Sequence, residues 1–256
     1  VSADGEPILG LAPELDNFFV ACGFTAGIAA SGGAGEAMAD WILDGDPGMD
    51  LWAFDVRRFG RPHSAGRYLE ERAIEAYGNY YSIHWPGAEN EAGRGLRRSP
   101  LHEHLKAAGA VFGARFGFER PLCFPDPGAG RKEIPSFEDK PSWFDQVAKE
   151  HRQIREGVAL IDQTSFCKFT IEGPGATAFL DTNCANRIAG EPGRCIYTTM
   201  LNEAGGCVDD LIVYFFADDR YRIVVNAGTA EKDLAWIEAA RAARGFFLEG
   251  IHDRRN

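Results

Sequence analysis

No stretch of this chain is long and apolar enough to cross a bilayer. The longest weakly polar run, Phe18 to Ala30, is short and broken by Gly23, Thr25 and Gly27. A surplus of cations is also missing. Lys plus Arg number 27 against 38 for Asp plus Glu, a formal net charge of −11, and this excludes a general nucleic-acid binder that works by neutralising phosphates. The six cysteines, Cys22, Cys123, Cys167, Cys184, Cys195 and Cys207, include no C-x-x-C pair and have no close companion histidines. No metal site is expected from them, and the default for a chain of this size is buried, reduced thiols in a cytosolic-type compartment. Internal repeats are absent. The first residue is Val rather than Met, so the start carries no information about targeting, and the expectation is a piece of a longer polypeptide.

What is present is ordinary for a soluble globular chain. Hydrophobic residues make up 45% of 256 and charged residues 25%, which excludes a disordered chain and leaves room for one large domain or two modest ones. Three segments with different rhythms follow, and together they predict an α+β fold. Residues 1–45 read as strand, turn, strand, helix. The run Phe18 to Cys22, bounded by Asn17 and Gly23, suits a short buried strand. Beyond the small-residue stretch Gly23 to Gly33, Ala34, Ala37, Met38, Trp41 and Ile42 share one helical face, and Asp44-Gly45 stops that helix. In residues 46–98, Trp52, Phe54 and Phe59 alternate with charges. A helix over Tyr68 to Tyr81 would bury Leu69, Ala73, Ala76 and Tyr77. Trp85-Pro86-Gly87 to Arg98 is polar and turn-rich, a boundary.

Residues 99–256 open with a loop at Gly128 to Pro141. A helix from about Trp143 to Glu156 follows, with Val147, Ile154 and Val158 on one side. Cys167, Phe169 and Ile171 alternate with Lys168, Thr170 and Glu172, as in a half-buried strand. Pro174 suits the first turn of a short helix carrying Phe179 and Leu180. Leu211 to Phe216 and Tyr221 to Val225 flank Ala217-Asp-Asp-Arg220 as a hairpin. Thr229 is placed to cap a last helix through Trp236 and Ile237 towards Gly245.

Two stretches can carry chemistry. In Gly23 to Gly35 a strand feeds a small-residue turn that opens a helix. Backbone N–H groups and the helix dipole there favour negative charge, although the same pattern also serves tight packing of strand on helix. It is a poor dinucleotide fingerprint, because Gly33-Ala-Gly35-Glu-Ala-Met38 lacks the third glycine. The second stretch is Asn202 to Asp210, a hairpin turn running into an apolar strand. Asp209 and Asp210 must point to opposite faces, so one can enter a pocket while the other is solvated; both facing solvent is the plainer alternative. A carboxylate against apolar walls can bind an amine or shuttle a proton. Tyr197 and Asn226 are companions able to hydrogen-bond a heteroaromatic ring. The histidines are weaker candidates. His102 and His104 on a helix point apart and are expected to be solvated, His151 is expected in the core, and His84 stays open. Arg94, Arg97 and Arg98 form a basic patch best read as a solvated linker.

Ala12-Pro-Glu-Leu-Asp-Asn-Phe-Phe-Val-Ala-Cys-Gly-Phe24, with Gly27-Ile28 and Gly32-Gly-Ala-Gly35, resembles the closing segment of the FAD domain of dimethylglycine and sarcosine dehydrogenases. Met49 to Phe59, Tyr68 to Arg72, Tyr81 to Pro86 and Arg94 to Pro100 resemble the connecting domain of that family. Leu105 to Gly113, Phe118 to Pro121, Ala159 to Phe166, Tyr197 to Glu203, Val225 to Gly228 and Glu231 to Trp236 resemble its folate-binding, aminomethyltransferase-like domain. The resemblance runs through nearly the whole chain in order. It implies three parts: 1–45, the end of an FAD-dependent oxidoreductase domain; 46–98, its central domain; and 99–256, an incomplete aminomethyltransferase-like domain.

The family implies FAD and tetrahydrofolate as cofactors, an N-methylated glycine as substrate, and a flavoprotein or oxygen as electron acceptor. It implies no nucleic-acid or membrane partner, and a bacterial cytoplasm or mitochondrial matrix as compartment. By the resemblance, Gly23, Phe24, Gly27 and Ile28 lie at the flavin. Asp209 is the acid that interacts with the folate nitrogen, and Tyr197 and Asn226 line the pterin pocket. Phe24-Thr-Ala-Gly27 is one residue shorter than the family's usual run. Gly206 to Val213 is closer to the aminomethyltransferases, which keeps a transferase, or a non-catalytic folate-binding module, as alternatives. The Gly-rich dinucleotide fold of the family is not in these residues, so the chain alone is expected neither to hold FAD stably nor to turn over substrate.

Overall fold

A computed structural model describes residues 1–85, 87–125, 140–141, 143–246, 248 and 250–253. Its internal packing divides the chain into two units, Val1–Asp162 and Gln163–Asn256. The loop expected at Gly128 to Pro141 falls outside the described residues but for Lys140 and Pro141.

In the first unit, β1 (Ile8–Leu11) and β2 (Phe19–Cys22) pair antiparallel, Ile8 opposite Cys22. The helix that follows, α1 (Gly27–Asp44), is longer than its apolar spacing predicts. Its first two turns are built from the small-residue stretch read above as the turn that opens the helix, since Ala and even Gly are tolerated inside a helix. Gly45, at φ 80°, closes it with an N–H to the Trp41 carbonyl. Trp41 meets Phe19 edge-on, with centroids 6.2 Å apart. Only Ala37 and Met38 of α1 are buried, and Ile42, expected inside, is exposed.

A run of short 3-10 turns, Trp52–Phe54, Val56–Arg58 and Arg61–Ser64, leads to α2 (Gly66–Gly78). Arg58 ties this run to the N-terminus: its Nε donates to Asp4 Oδ2 at 2.6 Å and its Nη2 to the Glu6 carbonyl at 3.1 Å. Here the apolar pattern misled. Leu69 and Tyr77 are exposed, while the buried position of α2 is Arg72, whose charge is met by Glu75 one turn on. Glu75 also accepts N–H bonds from Glu91 and Ala92 and so pins the polar stretch after the helix.

The remainder of this unit is α3 (His102–Ala107), the hairpin β3 (Val111–Arg115) and β4 (Phe118–Cys123), and α4 (Phe144–Glu156). The basic patch is not a solvated linker. Arg94 Nε donates to Glu119 Oε1 at 2.8 Å, and Arg97 lies 3.8 Å over the Phe118 ring. His102 is buried against Phe112, centroids 4.4 Å apart, whereas His104 is exposed. The expected core histidine, His151, is exposed, as are Val147 and Ile154 of α4.

The second unit is an antiparallel sheet made of β5 (Cys167–Glu172), β6 (Cys195–Leu201), β7 (Cys207–Ala217), β8 (Arg220–Val225) and β9 (Gly250–Asp253), in the order β6-β7-β8-β5-β9. Alternation sets its core. Leu211, Val213 and Phe215 of β7, Tyr221, Ile223 and Val225 of β8, and Cys167, Phe169 and Ile171 of β5 are all buried. Phe179 and Leu180 of α5 (Ala176–Asn183) and Ile237 of α6 (Ala230–Arg244) complete it. The hairpin over 207–225 has the expected place, turning at Asp218-Asp219 with Asp219 at φ 54°. The opposite parity of β6 and β7, Tyr197, Tyr214 and Phe216, stays exposed.

The cysteines depart from expectation. Cys167 and Cys184 are buried, but Cys22, Cys195 and Cys207 are exposed and Cys123 is half-buried; all are free thiols.

Candidate functional site

The site in the second unit is built on the start of β7. The register puts Asp209 opposite Met200 and Asp210 opposite Thr199. Period-two alternation then sends Asp209 to the buried face with Leu211 and Val213, and Asp210 to the other. Asp209 is only 9% exposed, so the plainer alternative, both carboxylates in solvent, does not hold.

Three donors meet the Asp209 carboxylate. Asn226 Nδ2 donates to Oδ1 at 2.9 Å, the backbone N–H of Asp210 donates to Oδ1 at 3.0 Å, and the Thr229 hydroxyl lies 2.7 Å from Oδ2. Burial by itself would raise this carboxyl. Hydrogen bonds from Asp233, Thr229 and Asn226, with the Lys232 charge nearby, outweigh that and hold it below the ordinary carboxylate range. Asp209 is therefore an ionised, oriented group at neutral pH.

Asn226 follows β8 directly, and its Nδ2 also donates to Asp210 Oδ1 at 3.0 Å. One amide thus bridges both faces of the strand, using its two protons. Tyr197 meets Asp210 rather than Asp209. Its hydroxyl donates to Asp210 Oδ2 at 3.0 Å, on the face away from Asp209, and its ring is 64% exposed. The structure brings Asp209 and Asn226 together; Tyr197 joins them only through Asp210.

Thr229 occupies the residue before α6, as its sequence position predicts, but its side chain does not cap the helix. The hydroxyl points instead between two carboxylates, 2.7 Å from Asp209 Oδ2 and 2.7 Å from Asp233 Oδ2. Asp233 is fully buried in the first turn of α6. Burial, and then the hydrogen bond with Asp209, push its carboxyl up to about 7. Lys232 stands 3.0 Å from Asp233 Oδ1, yet that oxygen has no aligned hydrogen-bond donor; Lys232 Nζ donates to the Val208 carbonyl. Sequence reasoning passed over Asp233. The available signal was its i,i+4 spacing from Thr229, which puts both side chains on one helical face.

In the first unit, Gly23 takes φ 75°, a left-handed conformation that turns β2 into α1. Phe24, with Thr25, Ala26 and Ala30, lines a cleft of about 580 Å3 whose other walls include Tyr80 and His84. Gly27 and Ile28 form the first turn of α1, whose N–H groups have no partner within the helix and whose preceding residue, Ala26, offers no side-chain cap. That donor set suits negative charge. Ile28 is 96% exposed and does not line the cleft. Among the described residues no cluster of His, Cys, Asp or Glu could hold a metal.

The second unit is thus an antiparallel sheet backed by two helices, with a buried, ionised aspartate at the head of its long strand. Residues 101–255 match the family model described as GCVT N-terminal domain, so the chain belongs to that family. Residues 44–99 match the family model described as FAD dependent oxidoreductase central domain, and relatives similar to this chain include sarcosine and dimethylglycine dehydrogenases.

Two relatives and one solved structure show the extent of the likeness. The 4-methylaminobutanoate oxidase (formaldehyde-forming) of Paenarthrobacter nicotinovorans is 37% identical over 243 residues, covering 94% of this chain and 29% of that protein. Mitochondrial sarcosine dehydrogenase of Homo sapiens is 36% identical over 237 residues, covering 82% of this chain and 26% of that protein. The crystal structure of the glycine cleavage system aminomethyltransferase T from Bartonella henselae superposes with a TM-score of 0.50 at 30% identity, over 62% of this chain and 38% of that one. The chain thus spans well under half the length of these relatives.

Proposed function

We propose that this chain is part of an FAD-dependent oxidoreductase that oxidatively demethylates an N-methylated glycine, dimethylglycine or sarcosine, and passes the one-carbon unit to tetrahydrofolate. Residues 1–45 close the flavin domain, 46–98 form its central domain, and 99–256 begin the folate domain. Bound flavin would supply a two-electron acceptor for the hydride of the N-methyl group, with a flavoprotein or oxygen as the electron acceptor in turn. The reduced thiols suit a bacterial cytoplasm or a mitochondrial matrix.

The chain's own residues supply binding, orientation and charge. Gly23 sets the turn, Phe24 walls the cleft, and the N–H groups of Gly27 and Ile28 present the positive end of α1 to negative charge at the flavin. Asp209 is the catalytic acid–base group of the folate site. Held ionised, it accepts a hydrogen bond or a proton from a folate nitrogen. Asn226 fixes its Oδ1, and Tyr197 lies along the pterin pocket.

The observation that carries the reading is the ionised, three-donor Asp209 within a domain of the GCVT family. Its test is Asp209→Asn in the complete enzyme, assayed with dimethylglycine and sarcosine. Methylenetetrahydrofolate formation should fall at least ~100-fold while amine oxidation stays within about twofold. Equal loss of both would refute the assignment. Aminomethyl transfer without oxidation is the second reading, favoured by the likeness to aminomethyltransferase T. The match of residues 44–99 to an oxidoreductase central domain weighs against it.

A further inference from the structure

The geometry points to Asp233 as a positioning residue for Asp209: through the Thr229 hydroxyl the two carboxyls hold one proton in common, which keeps Asp209 the ionised member. The inference deepens the folate reading and rests on it for the role of Asp209.

Thr229 Oγ1 lies 2.7 Å from Asp209 Oδ2 and 2.7 Å from Asp233 Oδ2, and a hydroxyl has one proton. With both carboxylates ionised, one of these contacts would set lone pair against lone pair at hydrogen-bond distance. A proton on Asp233 Oδ2 removes the conflict. Asp233 then donates to Thr229 Oγ1, and Thr229 donates to Asp209 Oδ2.

The surroundings decide which carboxyl keeps the proton. Asp209 already has donors from Asn226 and the Asp210 backbone, whereas Asp233 is fully buried with one oxygen lacking an aligned donor. The charged groups facing Asp233 are Asp209 from β7, with Asp210 beside it, and Lys232 from α6; the chain after β8 contributes the neutral Asn226.

A consequence follows for activity. When Asp233 ionises, the Thr229 hydroxyl stands between two carboxylates and can serve only one, so Asp209 loses the donor that fixes its Oδ2. In the complete enzyme, methylenetetrahydrofolate formed per amine oxidised should therefore fall as pH rises past the Asp233 ionisation, approaching tenfold per pH unit. Asp233→Asn keeps an N–H donor for Thr229 without a titrating group, and should hold that ratio level over the same range. A purely packing role for Asp233 would leave the wild-type fall in place in this variant, and that result would overturn the proposal.

Thr229 supplies a second pair of variants should Asp233→Asn fail to fold. Thr229→Ser should keep the wild-type profile and Thr229→Val should lose it; identical profiles for the two would also overturn the proposal. Infrared spectra of this chain separate the proposal from the folate reading. A protonated-carboxyl stretch should be present at about pH 6 and gone at about pH 8, and be missing from Asp233→Asn at both. Its absence from the wild-type chain refutes proton sharing. Its presence together with unchanged folate coupling in Asp209→Asn refutes the folate reading alone.

Discussion

Gly10 lies directly beneath the Trp41 indole: a Cβ at residue 10 would fall 2.4 Å from Cζ3 of the ring. Its φ of 117° is itself disallowed to most residues. Gly10→Ala should therefore destabilise the first unit by about 2–4 kcal/mol, combining backbone strain with overpacking. Urea denaturation followed by tryptophan fluorescence checks this, and a loss below ~1 kcal/mol would show that the indole swings away at little cost.

Stability should depend on pH through Asp233. In the fold its carboxyl lies near 7, above its ordinary value of 3.8. Between those values the folded chain keeps a proton that the unfolded chain releases. Stability should thus be full below pH 3.8 as far as this group is concerned, fall through the window, and level off above 7. Asp209 is depressed, so its contribution has the opposite sign and is lost only as pH falls below 3.8. Asp233→Asn should flatten the fall of wild-type stability between about pH 4 and 7, which is on the order of a few kcal/mol. Parallel curves for the two proteins in chemical denaturation would contradict this.

Glu119 offers an acid-side counterpart in the first unit. Burial would raise its carboxyl, but bonds from Arg94 and the Gly95 backbone lower it overall. Its contribution is present above the ordinary value of 4.5 and is lost as pH falls through its lower folded value. Glu119→Gln should cost about 1–3 kcal/mol at neutral pH and much less in acid. Thermal melts at both pH values decide it.

Thiol reactivity should follow burial. Cys22, Cys195 and Cys207 are exposed and should alkylate readily in the native chain. Cys167 and Cys184 are buried, and burial with Asp181 nearby pushes the Cys184 thiol up to about 12, so both should resist until unfolding. Peptide mapping by mass spectrometry reads each site.

The core of the second unit should be unforgiving. Phe169 is wholly buried on β5, between β8 and β9, and Phe169→Ala should cost about 3–5 kcal/mol. A midpoint shift in denaturant too small for that cost would place the core elsewhere.

Much of the second unit was legible in sequence because its signals are local. Alternation from Leu211 to Phe216 and from Tyr221 to Val225 gives strands, and Asp218-Asp219 gives their turn. The opposite orientations of Asp209 and Asp210 follow from adjacency alone. The position of Tyr197 does not, because it depends on the register of β6 against β7. Thr229 was legible as the residue before α6 but not as a bridge between carboxylates, since Asp233 reaches it only once the helix has formed. In the first unit, hydrophobic spacing named Leu69 and Tyr77 on α2, while the chain buries Arg72, whose neutralising partner Glu75 no hydropathy pattern reveals. Gly23, Phe24, Gly27 and Ile28 were named by resemblance alone; of these, Phe24 lines the cleft of the first unit and Ile28 does not.

Helix α1 has a practical consequence at the bench. With Ile28, Ile42 and Leu43 bare along one helix, the isolated polypeptide presents greasy surface that water solvates poorly. Purified samples should bind fluorescent hydrophobic dyes while still native, and light scattering should rise with concentration well before any unfolding begins.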